Sequence, residues 1–116
     1  MIVKVKASNR RASLDFEAKC KKWFESQGCR VCTPREIAWG SWRHKDFFGL
    51  FDGFAVKETS CALYRCKTNW VSLRKQAAGK RLVNAIRKFD VPCNFSKGIC
   101  YPDKKLDFVY ETIENK

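Results

Sequence analysis

Acidic side chains are scarce in this chain. Twelve Asp and Glu stand against 24 Lys and Arg in 116 residues, a formal net charge of +12. That excess is large for the size and favours a polyanionic partner, nucleic acid first and an anionic membrane surface second. Long apolar runs are missing: none approaches the ~20 residues needed to cross a bilayer. Met1-Ile2-Val3-Lys4 opens no apolar signal-peptide core. The expectation is a cytoplasmic protein with no membrane partner. Histidine occurs once, at His44, with no partner to be named for acid–base work. Repeats, linkers and low-complexity segments are also lacking, which leaves one domain over residues 1–116. What is present is aromatic: nine Phe, four Trp and three Tyr, with 45% of residues hydrophobic. That content excludes a disordered basic tail, which lacks the apolar residues for a core. Structural nucleic-acid binders are equally basic, so charge alone does not assign an activity.

Seven cysteines, an odd number, are Cys20, Cys29, Cys32, Cys61, Cys66, Cys93 and Cys100. Without a secretory signal the expectation is mostly reduced thiols. Cys29-Arg30-Val31-Cys32 has the CxxC spacing of a zinc site, and Cys93 and Cys100 bring the ligands to four. The gap between those two fits no compact zinc knuckle, and cysteines three apart in a strand point to opposite faces. Buried thiols, a zinc centre and disulfides all stay open at this point.

The apolar periodicity gives an α/β order. Residues 2–6 alternate apolar and basic, as a short strand or basic arm. A helix over 12–27 follows, stopped by Gly28, with Phe16, Cys20, Trp23 and Phe24 as its buried stripe. Residues 29–33 read as a strand. Pro34 then opens a loop to Lys45 that holds Arg35, Trp39, Trp42, Arg43 and His44. The two tryptophans suit either base stacking or core packing. Two strands over 47–56 and 61–67 form a hairpin in which Gly49 and Gly53 allow a bend or a close backbone approach. A second helix over 70–89 carries Trp70, Leu73, Leu82, Ile86 and Phe89 on one face and Arg74, Lys75, Lys80, Arg81, Arg87 and Lys88 on much of the rest. Gly79 weakens its middle by roughly 1 kcal/mol relative to alanine. Strands over 91–95 and 106–113 close the chain, with turn residues Ser96 to Gly98 and Pro102-Asp103 between them.

The hairpin carries the chemistry. Its first strand is approached by D-F-F-G, with Asp46, and contains F-D-G-F-A-V, with Asp52. Its second ends in Y-R-C-K, with Arg65 and Lys67. A turn at Thr59-Ser60 sets Asp52 directly opposite Lys67. Read blandly, that is a cross-strand ion pair, Glu17 is an i,i+4 partner of Lys21, and Asp46 is a turn residue.

Helix, three strands, basic helix and two strands, with an aspartate before an x-x-lysine strand, resemble the restriction-endonuclease-like superfamily of PD-(D/E)xK nucleases. The likeness is to its small archaeal, phage and viral Holliday-junction-resolvase-type members and covers residues 14–89. The resemblance implies a restriction-endonuclease-like fold with a central mixed sheet flanked by helices. It implies a metal-dependent DNA endonuclease acting on DNA, branched DNA included, as a homodimer, since a two-fold junction needs two cuts. Asp52, Glu17 and the main-chain carbonyl of Cys66 would hold Mg²⁺ or Mn²⁺. Lys67 would orient the attacking water, with Asp46 as an accessory ligand or cap. Arg30, Arg35, Arg43, Arg65, Arg74, Lys75, Lys80 and Arg81 would hold the nucleic-acid backbone.

One letter departs from the pattern. The middle position of the motif, normally acidic and sometimes Gln, is Arg65. Either Glu17 or Asp46 supplies the missing carboxylate, or Arg65 pairs with Asp52 or Glu17 and stands in for the metal. The second outcome is a catalytically impaired DNA-binding protein on the same fold. A third reading is a small zinc-containing nucleic-acid-binding protein organised by Cys29 and Cys32.

Overall fold

The computed structural model describes residues 2–34, 47, 50–103 and 108–115, with side chains from Leu14 onward. Asp46, Gly49, Arg35, Trp39, Trp42, Arg43, His44 and Lys45 lie outside the described residues.

The first helix, α1, runs Ile2–Ser26. The strand or arm expected over 2–6 is therefore helical. Starting a helix is the unfavourable step, while extending one is nearly free per residue. A strongly patterned segment behind residues 2–6 thus outweighs a five-residue alternation. The helix ends where expected. Gly28 takes φ +88, and the Gly28 and Cys29 amides donate to Glu25 O at 3.0 Å and Phe24 O at 3.1 Å, the paired bonds of a Schellman stop. Phe16, Cys20 and Phe24 are buried. Trp23, also expected inside, stays half-exposed and stacks on Phe108 with centroids 4.6 Å apart.

Among the described residues five strands follow: β1 Arg30–Cys32, β2 Gly53–Lys57, β3 Ser60–Cys66, β4 Phe95–Tyr101 and β5 Val109–Thr112. They lie in the order β1-β2-β3-β4-β5. All neighbours are antiparallel except β3 and β4, which are parallel. A parallel pair needs a long crossover. Here it is two helices, α2 Trp70–Leu73 and α3 Ala77–Lys88. The protein is thus α/β, with a mixed sheet covered on both faces. Phe16, Cys20, Phe24, Val31, Ala55, Tyr64 and Cys100 form the core under α1. Phe51, Leu63, Trp70, Ile86, Ile99, Tyr101 and Ile113 form the core under α2 and α3.

The expected single helix over 70–89 is broken at Arg74–Gln76. Gly79 is the reason the break closes tightly: a Cβ there would overlap the Leu73 carbonyl. Helix propensity alone expects Gly79→Ala to stabilise by about 1 kcal/mol. The packing reverses the sign. Urea unfolding should show a loss of about 2 kcal/mol from the forced separation, and a gain would refute the contact.

Two further boundaries move. The strand expected over 91–95 begins only at Phe95, and Ser96 to Gly98, expected as a turn, sit inside β4. Ser-Lys-Gly is turn-like in composition, yet Lys97 is only 2% exposed. Its ammonium donates to Phe89 O at 2.6 Å and Arg87 O at 3.0 Å, so the strand is held by the end of α3. The last strand is Val109–Thr112, and residues 106 and 107 of the expected 106–113 lie outside the described residues.

Candidate functional site

The hairpin turns at Glu58-Thr59, with Lys57 paired to Ser60 and Gly53 paired to Tyr64. Glu58 takes φ +51, a left-handed backbone that glycine or asparagine usually marks. No such residue marks it here, and the expected turn at Thr59-Ser60 is corrected for that reason. The register moves by two residues, so every side chain keeps its face and only the partner changes. Carrying the ladder one step past Gly53 sets Asp52 beside Arg65, not beside Lys67.

The expected strand over 47–56 is also shorter. Phe47 and Phe51 form an isolated bridge, with Phe47 N donating to Phe51 O at 2.7 Å. Phe51, fully buried, pins this small loop to the core under α3. Asp52 therefore enters β2 from a fixed point. Its amide donates to Tyr64 O at 2.8 Å, and its carboxylate Oδ2 accepts the Cys66 amide at 2.7 Å. A side-chain oxygen thus takes an acceptor position that a backbone carbonyl holds further along the ladder. Gly53 is bare because Tyr64 Oη lies where its Cβ would go, the close approach expected at this glycine.

Arg65 Nε lies 3.8 Å from the same Oδ2, with the two side chains 23% and 15% exposed. Half-buried charges are screened less than surface ones. Lys67 follows two residues on, its amide bonded to Cys100 O at 2.9 Å. Burial lowers the Lys67 pKa, the Arg65 charge lowers it further, and Asp52 opposes both. Lys67 therefore sits in the field of both Arg65 and Asp52.

Helix α1 crosses the sheet antiparallel to β3. The Phe24 ring stacks on Tyr64 at 4.9 Å, and Cys20 Sγ meets Cys66 Sγ at 3.3 Å. Glu17, half-buried, lies one turn beyond Cys20, toward the end of β3. It comes from the α1 face of the sheet, whereas strand alternation puts Arg65 on the face of Leu63, under α2 and α3. Arg74, Lys75, Lys80 and Arg81 lie on or next to α2 and the first turns of α3, at the same end as Asp52. Arg74 is half-buried: its Nη1 is 3.5 Å from Glu111 Oε1 and its guanidinium lies 5.1 Å over the Tyr101 ring. The buried Nε of Arg74 and Nε1 of Trp70 have no hydrogen-bond partner. Arg30 pairs with Val56 near the hairpin turn, away from this group.

Sequence reasoning missed two features. Cys20, Cys66 and Cys100 meet between α1 and the sheet, with Cys66 and Cys100 register partners on β3 and β4. Cys20's place in the buried stripe was the only signal. The other is Lys97. Cys100 is taken up in that thiol group, and although Cys93 lines the same hollow as Cys29, among the described residues the cysteines form no fourfold set.

The resemblance implies Mg²⁺ or Mn²⁺, which wants several hard oxygens near ~2.1 Å. Among the described residues no three His, Cys, Asp or Glu are grouped to hold a metal ion. One Asp52 oxygen already accepts the Cys66 amide and faces a guanidinium. The described residues do not fit such an ion.

No protein-family model, curated protein or solved structure matches this chain. Among the described residues, no helix is long and apolar enough to cross a membrane.

Proposed function

We propose that this chain binds the phosphodiester backbone of DNA, on a restriction-endonuclease-like core in which Arg65 occupies the place of a metal ligand. The observation that carries this reading is the pair of contacts on Asp52 Oδ2, the Cys66 amide at 2.7 Å and Arg65 Nε at 3.8 Å. A guanidinium beside that carboxylate supplies fixed positive charge where a divalent ion would otherwise be needed. The element order and the strand order, antiparallel twice and then parallel through a helical crossover, support the fold assignment. The net charge of +12 supports a polyanionic partner. Lys67, Lys75, Lys80 and Arg81 lie at this end of the sheet as cations for the phosphate backbone.

The test is direct. Labelled linear and four-way branched DNA are titrated with purified protein, with and without Mg²⁺ or Mn²⁺. Binding should occur without cleavage. Affinity should fall on the order of 10²–10³-fold between about 50 and 200 mM salt if some five phosphates are neutralised. Lys80→Ala with Arg81→Ala should flatten that slope. Preference for the branched DNA and pairing of two chains on it belong to the same proposal and are read in the same titration. A second reading, metal-dependent cleavage, is favoured by Lys67 lying in the field of Asp52. Divalent-dependent cutting by the unaltered chain, lost in both Asp52→Ala and Lys67→Ala, would replace the first reading with the second.

A further inference from the structure

The thiols between α1 and β3 form a group that phosphate binding does not use. Cys66 Sγ donates to Cys20 Sγ at 3.3 Å, across 46 residues of chain. Cys20 and Cys100 are fully buried, while Cys66 is partly buried. Cys66 is thus the least buried member of the group, with the fully buried Cys20 sulfur behind it. Both sit on rigid elements, a 25-residue helix and a central strand, so the approach does not depend on a loop. Cys20 also loses its proton more readily than an ordinary thiol, because Cys100 and Cys66 direct hydrogen bonds to its sulfur, against the opposing effect of burial, while Cys66 and Cys100 hold their own protons more tightly. Asp52, the nearby acid, acts the other way on Cys20.

We infer that Cys20 and Cys66 are a site of reversible oxidation, closing a disulfide between α1 and β3 when the chain meets a hydroperoxide. The chemistry balances in two steps. As the Cys66 sulfur attacks the terminal peroxide oxygen, its proton passes to the deprotonated Cys20 sulfur that accepts its hydrogen bond; the O–O bond breaks and the departing alkoxide or hydroxide takes a proton from solvent, giving Cys66 sulfenic acid. The Cys20 sulfur then attacks the Cys66 sulfur. Its S–H proton leaves with the displaced hydroxyl as a second water, and the S–S bond is formed. Two thiols lose two electrons and the peroxide gains them. An external dithiol reverses the change by exchange. The site does not depend on what the protein binds.

The experiment uses the full chain, reduced, then treated with hydrogen peroxide and quenched with N-ethylmaleimide. Chymotrypsin, cutting after Phe16, Trp23, Tyr64, Trp70, Phe95 and Phe108 but not at the Tyr101–Pro102 bond, separates Cys20, Cys66 and Cys100 onto peptides 17–23, 65–70 and 96–108. Mass spectrometry without reductant should show 17–23 joined to 65–70. Two of the seven thiols should be lost, both returning with dithiothreitol. In Cys20→Ala the same treatment should carry Cys66 on to sulfinic acid with no crosslink. Recovery of both peptides alkylated while exposed Cys93 oxidises would overturn the inference. So would a link from Cys66 to Cys100 in place of Cys20, or sulfinic acid at Cys66 in the unaltered chain.

Discussion

Arg65→Glu should give this chain a divalent-dependent DNA-cutting activity that the unaltered protein lacks. The substitution removes the guanidinium 3.8 Å from Asp52 and puts a carboxylate at the register position beside it. Two acids would then face each other across β2 and β3, with Lys67 two residues on and its ammonium already in the field of Asp52. Hard oxygens in that number suit Mg²⁺. Metal activation of water and phosphate is worth several kcal/mol, so cutting should rise on the order of 10³-fold over the unaltered chain. Nicking of supercoiled plasmid with and without Mg²⁺ reads this directly. The double variant Arg65→Glu, Lys67→Ala should return to background, and Arg65→Gln should cut weakly or not at all. If Arg65→Glu folds, binds DNA and still does not cut in Mg²⁺ or Mn²⁺, the nuclease-like assignment of Asp52 and Lys67 is lost. The effect on binding runs the other way. Exchanging one positive charge for a negative one weakens DNA affinity and lowers its salt slope.

Lys97→Met should be the most damaging single change to stability, about 3 kcal/mol by chemical denaturation. Helix α3 ends at Phe89 with an ordinary extended backbone and no glycine stop. Its last carbonyls must find donors elsewhere. Lys97 supplies them, to Phe89 O at 2.6 Å and Arg87 O at 3.0 Å. The cation also sits at the negative end of the helix dipole. Methionine fills the volume and leaves both carbonyls unpaired, at roughly 1–3 kcal/mol each. For a domain with some 5–15 kcal/mol in total, that is a large share. Burial lowers the Lys97 pKa below its ordinary 10.5, with Asp90 opposing. The folded chain therefore releases this proton before the unfolded chain does. As pH rises from the folded value toward 10.5, the unfolded state holds more protons and the Lys97 contribution grows. The deficit of Lys97→Met should widen over that interval. A deficit that narrows there would mean that the contacts of the ammonium with Phe89 O, Arg87 O and the helix dipole outweigh the cost of burying its charge.

Elements with a strong internal pattern were legible. Phe16, Cys20 and Phe24 at helical spacing with Gly28 behind them mark α1 because burial and a left-handed stop are both local. The two arms of the hairpin were legible for the same reason. The turn between them was not: Lys-Glu-Thr-Ser holds no residue that advertises the positive φ taken by Glu58. That one silent turn decided whether Asp52 met Lys67 or Arg65. Ser96, Lys97 and Gly98 misled in the opposite sense, being turn-like in composition yet central in β4.

From residue order alone came the charge, the α/β alternation, the acid before β2 and the Arg-x-Lys pair ending β3. These rest on composition and on periods of two and 3.6, which neighbours along the chain express by themselves. Tertiary structure decided the partners: Arg65 on Asp52, Cys20 on Cys66, and Lys97 on the carbonyls of α3. Each of those joins segments distant in sequence, where register and helix crossing are set by how whole faces pack, and no local pattern encodes that choice.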